Sequence, residues 1–155
     1  MLTADRLNRY TATSMTFYIN DRCIGCSICK KVCPVDAIEG NPGKDHRILP
    51  HRCIDCGACG RVCHKEAILD PQRRLCIRIR RRKRWDKPVI DTQRCNGCGA
   101  CLEACPVNSL AYEPTVGTRD TIRKVHLANA RSCIACGFCE TECPVDAVKM
   151  ATPEE

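Results

Sequence analysis

Residues 23–34 read CIGCSICKKVCP: four cysteines spaced C-x2-C-x2-C-x3-C, closed by a proline. The pattern returns as CIDCGACGRVCH at 53–64, CNGCGACLEACP at 95–106 and CIACGFCETECP at 133–144. The repeated positions are Cys23, Cys26, Cys29 and Cys33; Cys53, Cys56, Cys59 and Cys63; Cys95, Cys98, Cys101 and Cys105; Cys133, Cys136, Cys139 and Cys143. Of seventeen cysteines, only Cys76 stands outside the repeat. A repeat this regular sets the architecture before any single residue does.

So many cysteines beside only 4% aromatic residues indicate a disulfide scaffold or a metal protein. The first residues, MLTADRLNRYTATSMTF, hold no apolar signal segment and no paired arginines, and no apolar run is long enough to span a membrane. A cytoplasmic setting is therefore expected, where thiols stay reduced and bind metal. The odd cysteine count also speaks against a closed disulfide framework.

The spacing is that of bacterial 4Fe-4S sites. A cubane presents four irons at its corners, and soft thiolates suit them. Three cysteines two residues apart can curl round one cube. Small residues between them (Gly25, Ser27, Gly57, Ala58, Gly97, Gly99, Ala100, Ala135, Gly137) let the backbone approach and aim N–H groups at sulfur. Ile24, Ile28, Ile54, Ile134 and Phe138 can shield the clusters from water. Zinc sites, usually paired C-x2-C units with a longer gap, fit four evenly spaced runs poorly.

Each half of the chain resembles a two-cluster bacterial ferredoxin, and the whole resembles a tandem polyferredoxin. That resemblance implies an α+β fold of two tandem 2×(4Fe-4S) ferredoxin-like modules, over 15–70 and 87–150. A tail at 1–14, a basic linker at 71–86 and a C-terminal tail at 151–155 complete the chain. The family's ligation pattern implies four 4Fe-4S clusters with crossed ligands. Cys23, Cys26, Cys29 and Cys63 would hold one; Cys53, Cys56, Cys59 and Cys33 the second. Cys95, Cys98, Cys101 and Cys143 would hold the third; Cys133, Cys136, Cys139 and Cys105 the fourth. His64 stands where the family usually has proline.

Local patterns predict a strand in MTFYIN (15–20), a strand–turn–strand in AIEGNPGKDHRILP (37–50), a strand in KPVIDTQRC (87–95) and a long hairpin over 109–129. Short helices are expected after the third cysteine of each motif.

A cluster with four cysteine ligands has no open iron, so its chemistry is one-electron exchange. The chain shows no P-loop, no dinucleotide fingerprint and no nucleophile elbow. His46, His51 and His126 read as packed or solvated side chains, and His64 as a residue that tunes a cluster. Asp55 adds charge beside the second motif, and Asn96 a polar group beside the third. The implied role is a non-catalytic electron-transfer subunit. It resembles the small iron–sulfur subunits that accompany tungsten or molybdenum oxidoreductases, the aldehyde oxidoreductase type above all. The resemblance implies a large pterin-bearing catalytic subunit as partner, with a further donor or acceptor such as a ferredoxin. Exposed wire ends would allow head-to-tail self-assembly. A free polyferredoxin carrier and an iron–sulfur nucleic-acid binder are the alternatives.

RRLCIRIRRRKRW (73–85) is the most basic stretch. The formal charge of +7 treats thiols as neutral. Each oxidised cluster with its thiolates carries about −2, so four bring the protein to roughly −1. The stretch alternates Leu75, Ile77 and Ile79 with Cys76, Arg78 and Arg80, a pattern that predicts a strand running into a basic tail. Three readings stay open: a docking surface for an acidic subunit, a solvated linker that offsets cluster charge, and a nucleic-acid arm. The last lacks interleaved aromatics, with only Trp85 present. Cys76 reads as a small packed residue.

Overall fold

The computed structural model describes residues 16–114 and 123–153. The N-terminal tail and the tip of the long hairpin lie outside them. The chain divides into two compact units at Arg78/Ile79.

Unit 1 runs β1 (Tyr18–Ile19), α1 (Ile28–Val32), β2 (Ile38–Glu39), β3 (Arg47–Ile48), α2 (Ala58–Val62) and β4 (Ile68–Leu69). Unit 2 opens with a 3-10 turn (Arg82–Arg84). It continues with β5 (Lys87–Ile90), α3 (Ala100–Glu103), β6 (Leu110–Tyr112), β7 (Val125–Leu127), α4 (Phe138–Thr141) and β8 (Val148–Ala151). These short strands and single-turn helices make each unit a small α+β fold.

The units repeat one plan. The first strand pairs antiparallel with the last, β1 with β4 and β5 with β8, and the middle strands form a hairpin, β2–β3 and β6–β7. The closing backbone bonds correspond too: Asn20 N–H to Ala67 O (2.8 Å) matches Asp91 N–H to Ala147 O (2.8 Å). Each unit folds back on itself, so its second cysteine loop returns beside its first.

The core is thin. Ile19, Ile38, Ile48 and Ile68 pack round Cys29 and Cys59 in unit 1, and Leu110, Val125 and Val148 round Cys101 and Cys139 in unit 2. Domains this small bury little apolar surface. In both units cysteine side chains occupy the centre.

Two features depart from the sequence reading. Residues 75–79 form no strand: Leu75 makes one isolated bridge to Leu69, while Leu75, Ile77 and Ile79 face solvent. Cys76 turns inward instead, its N–H bonded to Ile68 O at 2.9 Å. Arg78 and Arg80 are exposed as well, so within 75–80 Cys76 alone packs inward, as a small packed residue should. The expected basic tail is also ordered: the 3-10 turn leads to Trp85, 1% exposed, whose Nε1–H donates to Ile79 O at 3.0 Å. The helices begin one residue before each third cysteine, not after it.

Candidate iron–sulfur centres

Every C-x2-C-x2-C loop carries two left-handed residues. The second residue of the first gap is one: Gly25, Asp55, Gly97 and Ala135, at φ between 56° and 72°. The first residue of the second gap is the other: Ser27, Gly57, Gly99 and Gly137, at φ between 60° and 85°. Two reversals of hand in four residues curl the loop, and the helix starts directly after the second. Glycine reaches this region without penalty, and a short polar side chain tolerates it. At Gly25 the requirement is doubled, because a Cβ would stand 2.5 Å from the Lys44 amide nitrogen.

After each fourth cysteine a second device repeats. Asp36, Glu66, Asn108 and Asp146, three residues on, are left-handed at φ 48–50°. The turn brings the next amide back onto sulfur. Ala37 N–H donates to Cys33 Sγ (3.2 Å), Ala67 to Cys63 (3.3 Å), Ser109 to Cys105 (3.3 Å) and Ala147 to Cys143 (3.2 Å). The donors are nearly fully buried. Such amides favour the thiolate. This feature is legible in the sequence as a small residue four after the cysteine, behind Asp, Glu or Asn, and it escaped the reading above. His64 leaves the turn unchanged: Cys63 (φ −69°, ψ 110°) is extended as Cys33 is (φ −69°, ψ 117°).

The folding back brings the fourth cysteine of each motif to the loop of its partner. Cys23, Cys26, Cys29 and Cys63 line one cavity, with Ile19, Ile24 and Ile28 around them. Cys33 joins Cys53, Cys56 and Cys59 round a second, walled by Phe17, Ile38, Ile48 and Ile54. Burial pushes the Cys29 thiol up to about 11, and Cys23, Cys26 and Cys63 add to the rise. In unit 2 burial raises Cys101, with Cys95, Cys143 and Cys98 contributing. Burial takes Cys139 up to about 12, with Cys136, Cys133, Cys105 and Cys101 adding to the rise.

As thiolates these sulfurs would repel one another, and Cys29, Cys59, Cys101 and Cys139 are buried, so ionising a whole set needs an added positive charge between them. Among the described residues no three His, Cys, Asp or Glu side chains converge as a single metal ion requires. A cubane asks instead for sulfurs at separate corners, with amides aimed at them, and this donor set fits one.

Local tuning differs between sites. Burial pushes Cys105 up, but the Ser109 hydroxyl at 3.2 Å and nearby amides outweigh it and leave the thiol below its ordinary value. Burial takes Cys53 up to about 11; the Asp55 carboxylate, whose Oδ1 lies 3.5 Å from Cys53 Sγ, adds to the rise. Asn96 Oδ1 accepts from the Cys98 amide at 3.2 Å. His64 Nδ1 lies 4.0 Å from Cys26 Sγ, and His46 is buried, bonded to Ser27 Oγ (3.0 Å) and Lys44 O (2.9 Å). Three cations donate to cysteine carbonyls: Arg61 to Cys56 (3.0 Å), Lys87 to Cys133 (3.3 Å) and Lys124 to Cys95 (2.6 Å). Sequence reasoning singled out none of the three, because a carbonyl contact leaves no spacing signature.

The 4Fe-4S dicluster domain model matches residues 52–109 and 94–147, and a second dicluster model matches 15–64. The chain belongs to the 4Fe-4S dicluster domain family. The dicluster matches extend over both units, and 4Fe-4S clusters are accordingly its cofactors. The 52–109 match joins the second and third motifs along the chain, whereas in space the first groups with the second and the third with the fourth. An uncharacterized protein of Methanocaldococcus jannaschii is 53% identical over 30 residues, 19% of this chain and 8% of that protein. A chain of the formate dehydrogenase–heterodisulfide reductase–formylmethanofuran dehydrogenase complex from Methanospirillum hungatei aligns with 90% of this one. The identity is 24%, the TM-score 0.42, and the aligned part is 53% of that chain. This dicluster protein thus spans about half of the solved neighbour and a small part of the curated relative. Among its described residues no helix is long and apolar enough to cross a membrane.

Proposed function

We propose that this protein is an electron-transfer subunit carrying four 4Fe-4S clusters, held by the four crossed cysteine sets. Bound, each cluster takes up or releases one electron at a time. The chain's part is to hold four thiolates per cluster, donate amides to sulfur and keep water away.

The observation that carries this reading is the crossing itself. Each unit brings two complete four-cysteine sets together, and burial raises Cys59 in company with Cys29, a member of the other set. Two cofactor sites that share helices α1 and α2 suit transfer between them. Complete cysteine ligation leaves no iron for substrate, which favours a relay over a catalyst. The relay would serve a large catalytic oxidoreductase subunit in the cytoplasm, of the tungsten aldehyde oxidoreductase type on the sequence resemblance, with a second protein as donor or acceptor. The test is a redox titration of anaerobically prepared protein followed by electron paramagnetic resonance. Reversible one-electron reduction of cysteine-ligated clusters, with paired sites broadening each other's signals, supports the reading. Clusters that dithionite cannot reduce would remove it.

A free carrier is the second reading. Purification under native, anaerobic conditions separates the two: co-elution with a pterin-containing subunit supports the first, and elution alone the second.

A further inference from the structure

Unit 2 carries an open groove outside the cluster cavities, lined by Arg82, Lys83, Lys87, Arg131, Val89 and Ala151, with Ala130, Thr152 and Pro153 at its edge. It lies on the outer face of the β5–β8 pair, where Lys87 stands opposite Ala151. Four cations line it, and among the described residues no carboxylate does. Its floor is aliphatic: Val89 is 59% exposed, an unusual position for valine in a strand.

Two of the four cations, Arg82 and Lys87, are held in place. Arg82 Nη1 donates to Arg131 O at 3.0 Å, and its guanidinium lies over the buried Trp85 ring, 5.2 Å from the centroid. Lys87 is 8% exposed and donates to Cys133 O at 3.3 Å. The groove floor is thereby tied to a residue of the fourth cysteine set. Two described acids are engaged: Asp86 accepts from Thr152 Oγ1 at 2.7 Å, and Glu140 pairs with Lys149 at 3.5 Å.

We propose that this groove docks an acidic segment of a redox partner protein, its carboxylates on Arg82, Lys83 and Arg131 and an aliphatic side chain on Val89 and Ala151. The proposal rests on the electron-transfer reading and adds where the partner sits. Charge complementarity selects the occupant. A row of cations around an apolar strip matches carboxylates alternating with aliphatic residues. A nucleic acid would need an exposed aromatic platform, and the one tryptophan is buried beneath Arg82. The basic stretch in the sequence contributes Arg82 and Lys83; Arg78 and Arg80 do not line the groove.

The test uses the full-length anaerobic holoprotein and a fluorescein-labelled peptide of alternating glutamate and leucine, followed by fluorescence anisotropy. The expected result is salt-sensitive binding, weakened tenfold or more by Lys83→Glu with Arg131→Glu. Lys31→Glu with Arg78→Glu, an equal change of charge at two residues that do not line the groove, should leave it unchanged. A peptide with serine for leucine should bind more weakly. Four results would overturn the proposal: no binding by the wild type, equal weakening by both double variants, no loss with the serine peptide, or stronger binding of a single-stranded oligonucleotide of equal charge. Iron content and dithionite reduction are read on the same samples. Absence of peptide binding by the wild type, with reducible clusters, sinks the groove alone, whereas clusters that cannot be reduced sink the electron-transfer reading.

Discussion

Gly60 and Cys76 stand in direct contact: a Cβ built on Gly60 would lie 2.6 Å from the Cβ of Cys76 and 2.7 Å from its Sγ. Gly60 sits in α2, directly after Cys59, so the one cysteine outside the repeat buttresses a cluster loop. Gly60→Ala gains about 0.5–1 kcal/mol of helix propensity, but the overpacking costs about 1–3 kcal/mol, and the clash wins. The variant should lose visible cluster absorbance faster in air than the wild type. Adding Cys76→Gly removes both clashing atoms and should restore the slower rate. If Gly60→Ala alone bleaches at the wild-type rate, the contact does not matter.

Asp55 and Ser109 should move cluster potentials in opposite directions. Asp55→Asn removes a negative charge beside Cys53 while keeping a side chain that tolerates the left-handed backbone. The potential of that cluster should rise on the order of tens of millivolts. Ser109→Ala removes the hydroxyl from Cys105 Sγ, a hydrogen bond that favours the reduced, more negative cluster, so that potential should fall by a similar amount. Redox titration of each variant reads both.

Trp85 is the keystone of the start of unit 2. Trp85→Ala removes the largest fully buried side chain and its N–H bond to Ile79, and truncations of this kind cost about 3–5 kcal/mol. Unit 2 should lose its clusters first, leaving roughly half of the bound iron. Trp85→Phe, which fills most of the space, should keep more. Iron analysis after a fixed time at raised temperature checks the order.

The cysteine spacing and the turn residues made the loops and the strand–turn–strand order legible, because both follow from short-range geometry; the crossed sets were implied by the resemblance to two-cluster ferredoxins. The short strands flanking Gly40–Gly43 appeared where the turn residues placed them. What stayed hidden depended on contacts distant in sequence. The alternation at 75–79 could not tell which face meets the protein, since that is set by the missing side chain at Gly60. Nor could composition show that Trp85, in a run of arginines, is buried. The cations at Cys56, Cys95 and Cys133 carbonyls come from 5, 29 and 46 residues away.

The measurement that tests the central claim most directly is chemical analysis of iron and acid-labile sulfide in protein purified without oxygen. Four crossed 4Fe-4S sets predict about 16 iron and 16 sulfide per chain. A value near 8 of each, iron without sulfide, or zinc in place of both would contradict the account.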